Sequence, residues 1–202
     1  MEAILVWLTS VTGSAGLAII LITILIRLAL FPLTLRQTRQ MAQIKELQPK
    51  LDALKKKYGN NPQEYQKRLM ELYQKEGVNP FGSCLPLLIQ FPFLIALYQV
   101  LARTDFNGAD PTFLIWDLTQ PDSLWILPIL SALTQYIQSA MVITDPSQKA
   151  FLYVMPVFIG WISLRFPAGL VLYWTVSNIF SIAQQYFLTK QQQKAQGGGD
   201  AK

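Results

Sequence analysis

Between residues 17 and 35 the chain runs through an apolar stretch that contains one charge, Arg27, near its middle and no acidic residue. An arginine keeps its proton at any ordinary pH, and a charge at the centre of a bilayer costs roughly 2.5–3.5 kcal/mol on insertion scales. Any fold for this sequence must therefore give one guanidinium a polar neighbour inside an apolar helix.

The surrounding composition points to a membrane. Hydrophobic residues make up 51% of the chain and charged residues only 14%, gathered into a few short stretches. A spanning helix needs about 20 predominantly apolar residues to cross a core of roughly 30 Å. The reading is an all-α polytopic membrane protein with five transmembrane helices, at residues 14–35, 80–102, 124–143, 149–166 and 168–189. The fourth is the shortest and is interrupted by Pro156 and Gly160; without it the tail and the basic middle segment would fall on opposite sides. Ten of the 17 lysines and arginines lie between residues 36 and 79, one in the 144–149 turn and three from Lys190 onward, whereas the opposite side carries only Arg103 and Arg165. The positive-inside bias then places the N-terminus outside and the C-terminus in the cytosol.

Residues 1–13 read as an interfacial amphipathic helix, with Ile4, Trp7, Leu8 and Val11 at helical spacing. Residues 36–79 read as a cytosolic antiparallel helical hairpin. Ile44, Leu47, Leu51, Leu54 and Tyr58 form one seam at 3-4-3-4 spacing, and Tyr65, Leu69 and Leu72 form the matching one. Gly59 ends the first helix, and Asn61 as N-cap, Pro62 and Glu64 begin the second. Pro49 breaks the backbone ladder and should bend the arm. Its basic residues Lys45, Lys55, Lys56, Lys57, Lys67 and Arg68 are candidate docking positions. Residues 103–123 are an external loop without assigned regular structure, in which Phe113, Ile115 and Trp116 reach the interface. The polar, glycine-rich tail 190–202 reads as disordered.

No carboxylate in the chain is placed to pair with Arg27. All 12 acids lie near the N-terminus, in the hairpin, in the external loop, in the turn at Asp145 or in the tail. Arg36 lies nine residues further on, about 13 Å along a helix, which is too far for Arg27 to snorkel out. Water or a visiting group must come to it. Neighbouring segments carry polar stripes: Thr23 and Thr34 with Arg27, Gln90, then Ser131, Gln135 and Gln138, then Trp174, Asn178, Ser181 and Gln185. Any one stripe is what interhelical hydrogen bonding looks like. Four of them around an unpaired cation point to a polar recess suited to an anionic visitor, with Arg27, Thr23, Gln90, Gln138, Trp174, Asn178 and Ser181 as its candidate lining.

Enzymatic chemistry is short of parts. The chain has no histidine and a single cysteine, Cys84, which leaves no His-based acid/base pair, no intramolecular disulfide and no metal cluster; neither a P-loop nor a pair of intramembrane aspartates is present. No cofactor or metal is expected. The basic charge lies beside spans and carries no nucleic-acid motif, so DNA is not an expected partner, while anionic lipid is. A small-solute or anion transporter or channel is the rival reading, but no internal repeat with matching broken helices is visible. The start shows neither a secretory signal nor a cysteine to lipidate.

Several strings occur in a telling order: Gly16 to Ile20 leading to Arg27 and Phe31-Pro32-Leu33-Thr34, the basic hairpin, Asn79-Pro80-Phe81-Gly82 with Cys84-Leu85-Pro86, and Phe166-Pro167-Ala168-Gly169-Leu170 through Leu172-Tyr173-Trp174 to Asn178. In that order they resemble the YidC-type membrane protein insertases over essentially the whole chain except the tail. The resemblance implies a five-helix core around a hydrophilic groove open to the cytosol and to lipid. Such a groove receives the polar outer segment of a short-tailed membrane protein while apolar segments slide along the third and fifth helices. It implies nascent membrane proteins as substrates, with the ribosome, the signal-recognition receptor and the Sec translocon as candidate partners, in a bacterial plasma (inner) membrane rather than a thylakoid or other organelle membrane. The sequence departs from the pattern twice. It lacks the large external domain of Gram-negative relatives, and its tail, with only Lys190, Lys194 and Lys202, lacks a long basic ribosome-holding extension.

Overall fold

The computed structural model describes residues 2–78, 85–103, 110–143 and 149–197. The motif at 79–82 with Cys84, residues 104–109 of the external loop, the turn 144–148 around Asp145, and the tail end 198–202 lie outside the described residues.

Helix α1 (Glu2–Thr12) turns into α2 (Ala15–Ala29) at Gly13, whose φ of +68° is the left-handed conformation glycine adopts without strain. The Ser14 side chain then caps α2 by accepting from the Leu17 N–H. Leu5, Leu8 and Thr9 are buried, whereas Ile4, Trp7 and Val11 stay exposed. On α2 the two faces separate cleanly: Ala15, Ala18, Ile19 and Ile22 point inward, and Leu17, Leu21, Leu25 and Leu28 point out.

The first expected span is not one straight helix. It breaks at Leu30, and α3 (Phe31–Glu46) leaves at 62° to α2. Pro32 sits in the first turn of α3, where its missing N–H is tolerated but a continuous helix through it is not. A second proline, Pro49, opens α4 (Gln48–Tyr58) in the same way after Leu47. Asn61 caps α5 (Pro62–Lys75), accepting from the Glu64 N–H at 3.3 Å. At the other end Gly77 (φ +66°) sends its N–H to Gln74 O, and Val78 sends its own to Tyr73 O, the paired reverse bonds of a Schellman cap. Leu47, Leu51, Tyr73 and Val78, flanked by Ile44, Leu69 and Leu72, form a small core between α3, α4 and α5. The Lys50–Glu76 ion pair at 2.5 Å brings the start of α4 beside the end of α5.

A second and larger core unites α1, α2, α6 (Leu85–Arg103), the external loop, α7 (Ile126–Val142) and α9 (Ala168–Gly197). Helix α8 (Lys149–Ser163) packs on α7, which packs in turn on α9. Gly160 allows this approach: a Cβ there would lie 2.9 Å from Ala132 Cβ.

The loop between α6 and α7 has more order than its composition promises. Strands β1 (Thr112–Phe113) and β2 (Trp116–Asp117) pair antiparallel around Leu114, which takes φ +56°. Phe113 and Trp116 pack on the core, while Leu114 and Ile115 point outward. The loop then seals the start of α9: Leu118 O accepts from Gly169 N–H at 3.0 Å and Gln120 O from Ala168 N–H at 2.7 Å. The buried Asp122 carboxylate accepts from the Leu124 and Leu127 N–H groups, capping α7.

Among the described residues no single helix is long and apolar enough to cross a membrane alone. The bent pair α2 and α3 reaches that length and apolarity together. Helix α9 also continues to Gly197, so residues 190–197 of the expected disordered tail are helical. Their Gln, Lys and Ala content favours helix, and the polarity that reads as disorder leaves that propensity untouched.

Of the described glycines Gly16 has the least room for a side chain. A Cβ on it would fall 2.1 Å from the Phe113 ring. Gly16→Ala is expected to destabilise the protein by about 1–3 kcal/mol through overpacking, read as a lower thermal midpoint in detergent. Gly77→Ala, at a surface cap with open space around it, should cost only about 1 kcal/mol for its left-handed φ.

Candidate functional site

Arg27 lies in the last turn of α2, half-buried. Its Nη2 donates to Gln90 Oε1 on α6 at 3.4 Å, and Gln90 Nε2 donates to the hydroxyl of Tyr173 on α9. Tyr173 is 1% exposed, so this relay ties the arginine to the core. Among the described residues no carboxylate approaches Arg27; the ion pairs there are Lys50–Glu76, Arg68–Glu64 and Arg68–Glu71, all in α4, α5 and the C-cap of α5. An arginine has five N–H donors, and one weak bond to an amide satisfies little of that capacity.

The relay follows from donor and acceptor chemistry. A guanidinium can only donate, so Gln90 must turn its carbonyl oxygen toward Arg27. Its NH₂ then faces away, and the Tyr173 oxygen must accept from it.

The next residue of α9 begins a second polar cluster. Trp174 Nε1 donates to Gln135 Oε1 at 3.2 Å, and Asn178 Nδ2 donates to Thr134 Oγ1 at 3.3 Å and to Gln135 Oε1 at 3.4 Å. The stripes expected on the third and fifth spans therefore meet, and Gln135 serves both partners across α7 and α9. Ser131 instead faces Ser163 of α8 at 3.2 Å. Lower on α9, Gln184 donates to Thr34 Oγ1, and Thr38 donates to Gln185 Oε1 at 3.3 Å.

The structure thus brings Arg27 together with Gln90, and Trp174 with Asn178. It does not place Thr23 and Ser181 with them as free groups. Thr23 is fully buried and gives its hydroxyl to Ile19 O at 2.6 Å, and Ser181 gives its own to Ser177 O at 2.9 Å. Both spend their donor inside their own helix, the default for hydroxyls at i and i−4. Gln138 is half-buried. Sequence reasoning missed Tyr173 and Thr134, although Tyr173 stands directly before the selected Trp174 and is the one polar atom source in the run 170–173.

On α3, α4 and α5, Lys45, Lys55, Lys56, Lys57, Lys67 and Arg68 are all exposed. Lys57 and Arg68 flank the Tyr58 ring at 5.3 and 5.9 Å, a cation–π arrangement. Hydrogen bonds and charge from Glu71, then Glu64, raise Arg68 above its ordinary value, so it remains a cation. A cleft lined by Lys50, Ala53, Leu54, Lys57, Tyr58, Arg68 and Leu72 lies here, and an apolar one lies along α8 at Tyr153, Val154, Val157, Phe158 and Trp161. Neither cleft includes Arg27. No group of three or more metal-ligating side chains occurs among the described residues.

Gln135 carries the testable load at the α7–α9 seam. Gln135→Leu leaves the Trp174 donor without its acceptor and Asn178 with one acceptor fewer, and should destabilise by about 1 kcal/mol. Double-mutant cycles with Trp174→Phe and with Asn178→Leu should each show coupling of about 0.6 kcal/mol, measured by unfolding in detergent.

The 60Kd inner membrane protein family model matches residues 7–196. Proteins named membrane protein insertase YidC from Burkholderia multivorans and Fusobacterium nucleatum are 45% and 42% identical over 184 and 180 residues, or 90% and 88% of this chain. The chain spans about a third of the length of the Burkholderia protein, 33%, but 87% of the Fusobacterium one. A crystal structure described as an active YidC insertase with the first transmembrane domain resolved superposes with a TM-score of 0.78 at 32% identity, covering 90% of this chain and 43% of that one. Shared helical architecture, a match over nearly the whole chain and a relative covered along most of its own length agree: this chain belongs to the 60Kd inner membrane protein family and is a YidC-type member of it.

Proposed function

We propose that this protein is a membrane protein insertase and chaperone of a bacterial inner membrane, which moves short hydrophilic segments of nascent membrane proteins across the bilayer without chemical catalysis. One observation carries the proposal beyond kinship. Among the described residues Arg27 meets an amide and no carboxylate, in a protein whose outward surface is apolar at Leu21, Leu25, Ile95, Leu133, Val157 and Trp161. Exposed apolar surface on that scale needs a covering, and lipid supplies it. Polar groups turn inward, as they must when the solvent is hydrocarbon.

In this reading five apolar segments cross the membrane with the N-terminus outside, α2 and the start of α3 making the first. The basic hairpin lies in the cytosol, where the ribosome, the signal-recognition receptor and the Sec translocon are its candidate partners. Arg27, Gln90, Gln138, Trp174 and Asn178 line a hydrophilic, lipid-open groove, and Thr23, wholly buried, shapes its wall. Acidic residues in a substrate's outer segment are drawn to Arg27 and then pass outward as the substrate's apolar helix partitions into lipid. A membrane potential adds about 2.3 kcal/mol per charge per 100 mV.

Arg27→Ala should slow insertion of substrates with acidic outer segments by about tenfold or more, the loss of one charge-assisted hydrogen bond of about 1.5–3 kcal/mol. Arg27→Lys should retain most of the activity. Both are measured by protease protection of a radiolabelled substrate in vesicles, and full activity of the alanine variant on every acidic substrate would sink the electrostatic mechanism. Photocrosslinkers at Gln138 and Trp174 should capture a stalled nascent chain; no capture at either position would favour a small-solute transporter.

A further inference from the structure

Resting on the insertase reading, we propose that Gln90 sets how strongly Arg27 holds a passing carboxylate, by supplying a neutral amide that the substrate displaces and that returns when the substrate leaves. The geometry has three parts. The Arg27–Gln90 contact, at 3.4 Å, is longer than the usual 2.7–3.2 Å of a firm N–H···O bond, so it is readily exchanged. The far end of the amide is anchored, because Gln90 Nε2 bonds the hydroxyl of the core residue Tyr173. And Pro92, two residues along α6, removes the N–H that would have bonded the carbonyl of residue 88, which loosens the helix where Gln90 sits.

A substrate carboxylate approaching Arg27 makes a bond of about 2.7–2.9 Å and roughly twice the strength of the neutral one. It therefore wins the exchange, by a margin reduced by the amide bond it breaks. Departure is the harder half of the cycle. A half-buried guanidinium left with no acceptor carries a desolvation penalty, which holds the carboxylate in place. Gln90, still tethered by Tyr173, re-forms its bond as the carboxylate goes and lowers that barrier. The residue thus tunes both selectivity for acidic segments and their release.

The test uses the full-length protein in proteoliposomes and a single-span substrate whose outer segment carries two Asp, two Asn or two Lys. Gln90→Glu installs a carboxylate against Arg27 and should lower the Asp-to-Asn insertion ratio about tenfold while raising the Lys-to-Asn ratio. Gln90→Leu should lengthen the lifetime of the Asp substrate crosslinked at Trp174 several-fold, and Tyr173→Phe, which frees the amide from its anchor, should shift that lifetime in the same direction. A merely structural role would change the three substrates alike. Unchanged ratios in Gln90→Glu together with unchanged lifetimes in Gln90→Leu would overturn the proposal. Arg27→Ala separates the levels: if it impairs the Asp substrate while the Gln90 variants do not, only the role of Gln90 falls, and if it spares the Asp substrate, the electrostatic insertase mechanism falls with it.

Discussion

The first turn of α9 is the joint on which the site depends. Pro167 enters it with a fixed φ, Ala168 is fully buried, and Gly169 has no room for a side chain, since a Cβ would lie 3.0 Å from both Leu101 methyls and from Leu118 O. The two N–H groups that an α-helix leaves unbonded here are taken by Leu118 and Gln120 of the external loop. The loop, α6 and α9 are thereby locked at one height. Tyr173 and Trp174 follow within about one and a half turns, so their positions are inherited from this joint. Tyr173 goes to the Arg27 relay and Trp174 to Gln135, because successive helical residues point about 100° apart.

Beside its apolar cores, the fold buries several polar side chains and leaves many large apolar ones exposed. Ser131, Thr134, Ser163, Thr175 and Asn178 are buried between helices, and large apolar side chains on α2, α6, α7 and α8 face out. Hydroxyls mostly bond their own helix at i−4 or i−3, as Thr23, Thr134, Ser163 and Thr175 do, which lets a polar atom sit inside with no partner from another element. Amides cannot be satisfied so locally. Gln90, Gln135, Asn178 and Gln184 reach across to other helices, and for that reason they are the side chains that organise the site.

That distinction explains what the sequence disclosed. Arg27 without an acid, Gln90 facing it, and the meeting of the Gln135 and Trp174/Asn178 stripes were legible because long polar side chains in apolar runs must find distant partners. Thr23 and Ser181 give their hydroxyls to their own helix, and in sequence a hydroxyl at the right helical phase looks the same whether it lines a recess or bonds its own backbone. Tyr173 was under-read because its ring counts as apolar and periodicity does not say where a phenol oxygen points. Hydropathy runs straight through the α2–α3 segment, although the chain bends by 62° at Leu30, two residues before Pro32. The hairpin turn was easier: Gly59, Asn61 and Pro62 each have a local role that depends on nothing distant. The α9 extension to Gly197 reflects helix propensity that charge and polarity do not reveal.

The two apolar cores are joined more weakly than either is held internally. The core of α1, α2, α6, α7 and α9 and the core of α3, α4 and α5 share no buried apolar residue. Between them stand the bend at Leu30 and the links Thr34–Gln184 and Thr38–Gln185 from α3 to the lower half of α9. Side-chain hydrogen bonds of this kind contribute about 0.6 kcal/mol each, whereas burying one leucine-sized side chain contributes about 1.5–3. The α3–α5 core is therefore tied to the larger core by weaker links than those that hold either core together. Those links attach to the same helix that carries Tyr173, so the α3–α5 core and the setting of Arg27 have α9 in common.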